Sequence, residues 1–250
     1  MVTEHLENEV CHDAIAFEVS PLIIVLLRYA LNIKGLAFKT EWIEYPDIQA
    51  FYKQHNIPHV DTKPDGSPHY TLPLIHDAST GKFIADSFGI TAYLDEQYPH
   101  TPILLPKGTH ALQSAFQFAV GSVLATLGGI IMPATHTILN EASQGYFRRT
   151  KGIDQLRISE DELDEHWKRF EAEMGMIDDW LKRNGEGQKF ITGDAITYAD
   201  IHLTARLLWM KKVLEGQKEQ GDEIGNGWDL IEKWHGGRWA RIVTEFEQYE

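Results

Sequence analysis

Tyr70-Thr71-Leu72-Pro73-Leu74-Ile75-His76-Asp77-Ala78-Ser79-Thr80-Gly81-Lys82-Phe83-Ile84-Ala85-Asp86-Ser87 is the stretch on which the fold turns. Two short strand candidates, residues 70–76 and 82–85, flank the turn-forming Asp77-Ala78-Ser79-Thr80-Gly81, the spacing of a hairpin. Asp86-Ser87 then opens a helix that carries Ile90, Tyr93 and Leu94 and ends near Tyr98-Pro99. A proline early in a strand and after a turn is a candidate cis site. Its use would be to leave the backbone of Leu72 facing outward and unpaired, open to a peptide-like ligand added as one more strand. An edge-strand proline with no further role is the plain alternative.

Upstream, Ser20-Pro21 precedes an apolar run over 21–31 that Asn32 and Gly35 close. Serine as N-cap with proline in the first helical position is a strong start signal, so a helix is expected from there. Residues 38–45 alternate and are rich in strand formers. Pro46-Asp47 opens a short helix to about His55, and Pro64-Asp65-Gly66 marks a turn. One more strand is needed before Ser20, and residues 5–10 mark it poorly because they hold two glutamates. The resulting order, β-α-β-α-β-β-α, is a thioredoxin-like layout.

Downstream, Pro102, Pro106 and Gly108 mark residues 100–109 as a linker. Beyond it the periods are helical throughout. Ser159-Glu160-Asp161-Glu162 and Thr197-Tyr198-Ala199-Asp200 both read as capping boxes, the second with a staple between Ile196 and Ile201. The expected organisation is a thioredoxin-like α/β domain over 1–99, the linker, and an all-α helical domain over 110–250. Residues 118–134 are apolar, but Ser122, Thr126, Gly128-Gly129 and Pro133 interrupt them without flanking basic residues. A helix buried on all sides of a soluble domain is the expectation there, in preference to a membrane span.

Composition narrows the function classes. The chain of 250 residues is 43% hydrophobic, enough for two small cores, and its net charge is −14. A surface that negative repels phosphate backbones and anionic lipid heads, so neither nucleic acid nor membrane is an expected partner. One cysteine, Cys11, allows no internal disulfide and fits a reducing compartment. The first nine residues lack the basic-then-apolar order of a secretory leader, so the cytoplasm is the expected location. No His-Glu-x-x-His motif is present, no metal site is expected, and Gly185-x-Gly187 does not continue as a dinucleotide fingerprint.

Three short motifs can carry chemistry. Ser20 before a helix would sit where free backbone N–H groups and the helix dipole favour an anion. A thiol titrates near ~8.5, so holding it ionised at neutral pH needs a shift of about two units, or roughly 2.7 kcal/mol. One charge-assisted hydrogen bond, about 1.5–3 kcal/mol, together with the dipole is sufficient. Asp86-Ser87 at a helix mouth can hold an α-amino and an α-carboxylate group, and the Leu72-Pro73 backbone can pair with a peptide. Singly, each is as easily a helix cap or an edge proline.

Together, and with Gly193-Asp194-x-x-Thr197-x-Ala199-Asp200, these motifs resemble a cytosolic glutathione transferase. Arg28-Tyr29-Ala30-Leu31-Asn32, Thr40-Glu41-Trp42, Glu44-Tyr45-Pro46-Asp47-Ile48 and residues 63–73 resemble the fungal class related to bacterial glutathione-dependent β-etherases. The likeness is close over 28–106 and generic beyond. It implies glutathione as co-substrate, with Ser20 at the sulfur and Leu72 before cis-Pro73 at the cysteinyl residue. Asp86 and Ser87 would take the γ-glutamyl end, and His59 or Lys63 the glycyl carboxylate. Thr197 and Asp200 would serve folding. Cys11 lies off the helix start that a cysteine nucleophile would occupy, so it is expected to be an ordinary thiol. The implied second ligand is a hydrophobic aromatic molecule held against Phe116, Phe118, Val120, Leu124, Leu127, Ile130, Ile131 and Met132, and the implied assembly is a homodimer. The class normally carries an aromatic residue before the serine and polar residues after the proline. Here Val19 and the apolar run 22–27 stand instead, which keeps a weakly catalytic ligandin as the alternative.

Overall fold

The computed structural model describes residues 14–18, 25–156 and 158–250. Cys11, Ser20 and Pro21 lie outside them. The α/β half comprises β1 (Ala14–Glu18), α1 (Leu26–Ile33), β2 (Phe38–Trp42), α2 (Ile48–Gln54), β3 (Asp61–Thr62), β4 (Pro68–His69), β5 (Leu74–Asp77), β6 (Lys82–Ala85) and α3 (Ser87–Gln97). The main sheet has the order β2-β1-β5-β6. β1 runs parallel to β2 and antiparallel to β5, and β5 and β6 form the hairpin.

Asp77 fixes that hairpin turn. Its carboxylate accepts from Ser79 N and Oγ and from the hydroxyls of Tyr93 and Tyr98, tying the turn to α3. Burial opposes ionisation there, yet these donors hold the carboxyl below its usual range.

The described elements refine the expectations at three points. The first described strand is β1 at Ala14–Glu18, in the middle of the sheet between β2 and β5, and residues 5–10 lie outside the described residues. α1 begins at Leu26 with Val25 as its N-cap, five residues beyond Pro21. The turn at Pro64-Asp65-Gly66 closes a small separate ribbon of β3 and β4, too short and polar to show a strand period.

The helical half comprises α4 (His110–Ala125), α5 (Gly128–Ile138), α6 (Glu141–Lys151), α7 (Glu160–Lys182), α8 (Tyr198–Glu219), α9 (Gly227–Ile231) and α10 (Arg238–Phe246). Both expected capping boxes are formed. α8 is the central helix, buried on almost every side from Tyr198 to Gln217. α4 and α5 meet at 85°, so the apolar stretch 118–134 is two helices and not one. Nor is it buried all round, since Phe118 is 79% exposed. Among the described residues no single helix is long and apolar enough to cross a membrane. Just past the bend, a Cβ on Gly129 would stand 2.7 Å from Ile158 Cδ1, so glycine admits a close contact with the 158 segment.

Candidate functional site

Register brings two of the three motifs to one place. Leu74 is opposite Ala85 in the β5–β6 ladder. Pro73 and Asp86 are therefore the next pair beyond the ladder's end, with Leu72 and Ser87 after them. β1 joins the same edge, because Phe17 pairs with Leu74 and Glu18 is the last residue of the strand.

The Leu72–Pro73 bond is cis. Both residues are buried, and the backbone before them is held in place by Tyr52, whose hydroxyl donates to Thr71 O at 2.5 Å. Burial pushes the Tyr52 phenol up to about 12, so it stays a neutral donor. No described residue accepts from the N–H of Leu72.

Asp86 carries the second unusual feature. Its φ of 71° and ψ of 126° lie where side chains other than glycine rarely go. Such a conformation costs on the order of 1–3 kcal/mol and persists only where the surroundings over-determine it, often at ligand clamps. Here the surroundings are the end of β6 and the cap of α3, where Asp86 Oδ2 accepts from Gly89 N at 2.9 Å. One carboxylate oxygen is thereby committed to the helix. Ser87 follows at the first helical position, half-buried, its Oγ 2.9 Å from the hydroxyl of Tyr198. Burial raises the Tyr198 phenol to about 12. Tyr198 N donates to Leu104 O, so the residue that fixes Ser87 is itself fixed to the linker.

Of the two cations considered for a glycyl carboxylate, both are exposed. His59 rests its ring edge-on against Tyr70, two residues before Leu72, with centroids 6.2 Å apart. Lys63 lies at the tip of the β3–β4 ribbon, its N–H donating to Ser67 O.

The expected apolar wall is largely core. Val120, Leu127, Ile130 and Ile131 are buried, with Phe116 and Leu124 packed against them. Only Phe118 of that set lines an open groove, of about 570 Å³, whose other sides are the small polar face of α4 with His202 and Arg206 of α8. His202 was not anticipated. Its ring is buried, both nitrogens lack partners among the described residues, and burial first, then nearby Arg206, lowers its pKa to about 3. The helical period of α8 alone would have placed it in the core without showing that it borders a groove.

A thioredoxin-like α/β half joined to an all-helical half built on a capped central helix defines the glutathione transferase fold. Residues 111–249 match the family model "Glutathione S-transferase, C-terminal domain". The chain is 35% identical to a glutathione S-transferase of Ceriporiopsis subvermispora solved in complex with glutathione, covering 95% of this chain and 97% of that one with a TM-score of 0.84. It is 34% identical to the glutathione transferase GSTFuA3 of Phanerochaete chrysosporium, with coverages of 95% and 97% and a TM-score of 0.83. The glutathione S-transferase-like protein ustS of Aspergillus flavus is 28% identical over 232 residues, 85% of this chain and 81% of that protein. The chain belongs to the glutathione S-transferase family.

Proposed function

We propose that the protein is a glutathione transferase whose serine-stabilised glutathione thiolate attacks hydrophobic aromatic electrophiles or cleaves aryl ethers. The observation that carries this reading is the meeting of cis-Pro73 and the strained Asp86 at the end of one hairpin. Glutathione is a peptide with an amino acid at its γ-glutamyl end. The free N–H of Leu72 suits the cysteinyl backbone, the second oxygen of Asp86 the α-ammonium, and Ser87 with the α3 N-terminus the α-carboxylate. His59, whose ring rests against Tyr70 two residues before Leu72, is the better placed of the two side chains for the glycyl end.

Ser20 completes the assignment. It follows Glu18 by two residues, a span of at most ~7 Å, and β1 ends at this same edge. Its hydroxyl would donate to the sulfur. The thiol proton leaves to solvent, the sulfur forms a C–S bond with the electrophilic carbon, and halide or phenolate departs with the electrons of the broken bond. In this reading residues 1–99 bind glutathione, 100–109 link, and 110–250 supply the second ligand's wall through the groove at Phe118. The cytosol and a homodimer rest on family resemblance alone. The β-etherase-like subclass is supported by the motifs of residues 28–73.

The test is turnover of 1-chloro-2,4-dinitrobenzene and of an aryl-ether reporter with glutathione, comparing the parent with Ser20→Ala and titrating glutathione into both. Loss of about one charge-assisted hydrogen bond lowers kcat by roughly 10–100-fold with binding retained. A parent that binds glutathione and aromatic dyes tightly but turns over neither substrate is a ligandin instead.

A further inference from the structure

The groove at Phe118, of about 570 Å³, has a single charged side chain on its walls. α4 contributes only uncharged residues between Ser114 and Ala125, and α8 contributes His202 and Arg206. No carboxylate lines it, although the chain carries 37 acidic residues against 23 basic ones. Its volume lies within the range, about 300–1,000 Å³, that holds small organic ligands.

Arg206 is exposed at this groove and meets no carboxylate among the described residues. Arg148, Arg169 and Arg238, by contrast, are each paired with one. Trp209 backs the guanidinium, its ring centroid 6.0 Å away, an attraction that steadies the cation without neutralising it. His202, buried one turn before Arg206, has no partner on either ring nitrogen among the described residues. Burial, with the guanidinium nearby, keeps its pKa at about 3, so the ring is neutral and has one N–H to give. Buried donors are almost always paired, and an acceptor bound in the groove would pair this one.

The groove also adjoins the proposed glutathione site. Tyr198, which holds Ser87, stands one turn before His202, their ring centroids 6.1 Å apart. Arg206 is therefore about 12 Å along α8 from Tyr198. Val25 and Leu26, at the start of α1 and downstream of Ser20, share one core with Val120 and Val123 of α4.

We propose that Arg206 sets specificity for the second substrate, selecting aromatic electrophiles or aryl ethers that carry a carboxylate. The aromatic body lies on Phe118, and the carboxylate meets the guanidinium with His202 as a further donor. This rests on the transferase reading, in which the groove holds the second substrate. The charge of the whole molecule favours the opposite order, since −14 repels the more anionic ligand. A preference for the carboxylate therefore reports the local cation.

The test is calorimetric titration of S-(4-carboxy-2-nitrophenyl)glutathione and of its carboxamide, S-(4-carbamoyl-2-nitrophenyl)glutathione, with glutathione alone as reference. These form when the sulfur displaces chloride from C4 of 4-chloro-3-nitrobenzoate or its amide: a C–S bond is made, and chloride leaves with the C–Cl electrons. The parent should bind the carboxylate conjugate about tenfold more tightly than the carboxamide, the scale of one charge-assisted contact. Arg206→Gln should bring the two within about twofold, with glutathione affinity and Tm unchanged. Arg206→Lys keeps the charge without the planar fork and should retain a preference of about threefold. Equal binding of the two conjugates by the parent overturns the proposal, as does a preference that survives Arg206→Gln. A parent that ranks the conjugates as expected but turns over neither chloride overturns the transferase reading and upholds the carboxylate subsite. A parent that does not bind glutathione itself overturns both.

Discussion

The end of the β5–β6 hairpin and the first turns of α8 both concentrate polar groups, and they handle them in opposite ways. At the hairpin end the groups remain available: among the described residues the Leu72 N–H has no partner, and Asp86 keeps one oxygen uncommitted. In α8 the groups are shut in. Thr197 and Asp200 satisfy each other inside the protein, while His202 and Thr204 are buried without partners among the described residues. A ligand can supply what the first region lacks, whereas burial makes every unpaired group in the second a standing cost. Mutations at the hairpin end should therefore cost binding, and mutations in α8 should cost stability. The two regions meet where Ser87 hydrogen-bonds Tyr198 and Phe88 packs on the Tyr198 ring.

The largest effect expected from that contrast is at Asp200. Asp200→Ala strips the partner from Ile191 N, Thr197 N and the Thr197 hydroxyl together. The loss of a cap and of the acceptor for two backbone N–H donors should destabilise by about 3 kcal/mol. Thermal unfolding should show Tm lower by on the order of 8 °C, with glutathione affinity of the still-folded protein unchanged. A variant that loses affinity at full stability would break the division between the regions.

Next in size is a pH effect at His202. Its folded pKa, about 3, lies below the usual value of 6.5, so between those limits the unfolded chain binds more protons. Its contribution to stability is complete above pH 6.5 and is lost as pH falls toward 3, at about 1.4 kcal/mol per unit. Asp200, raised to about 6 by burial, acts with the opposite sign between its usual value and 6, so the parent's curve alone is ambiguous. The readout is the difference between parent and His202→Phe in urea unfolding. The variant should gain about 2 kcal/mol relative to the parent on going from pH 7 to pH 5. Parallel curves would mean that the imidazole titrates alike in both states.

The same contrast governs how far the sequence could be read. Local signals sufficed where a turn or cap is chemically specific. Asp77 to Gly81 announced the hairpin, and Thr197 with Asp200 announced the start of α8, because those side chains bond their own neighbours. Pro73 and Asp86-Ser87 were readable as candidates for the same reason. Their meeting was not, since it depends on the Leu74–Ala85 register, a matter of pairing across the sheet. β1 was not read from its residues because Ala14-Ile15-Ala16-Phe17-Glu18 is a short central strand without polar alternation. The long apolar stretch after Phe118 hid the bend between α4 and α5. Nothing local distinguishes His202 from an ordinary core position, and the groove it borders is assembled from α4 and α8, which lie far apart in the sequence.

The smallest effect is the most discriminating, because it falls on the bond that joins the two regions. Tyr198→Phe removes a hydroxyl and keeps the ring that packs on Phe88 with centroids 5.1 Å apart. Stability should fall by only about 1 kcal/mol, the net value of one hydrogen bond. Ser87, no longer held from the helical half, should hold a glutathione carboxylate less well. A weakening of about fivefold in calorimetric glutathione titration is the expected outcome, the equivalent of roughly 1 kcal/mol. Ser87→Ala should weaken binding by at least as much, and adding Tyr198→Phe to it should weaken it no further. Independent, additive losses would mean that Tyr198 serves the helical half alone and that the two regions meet without communicating.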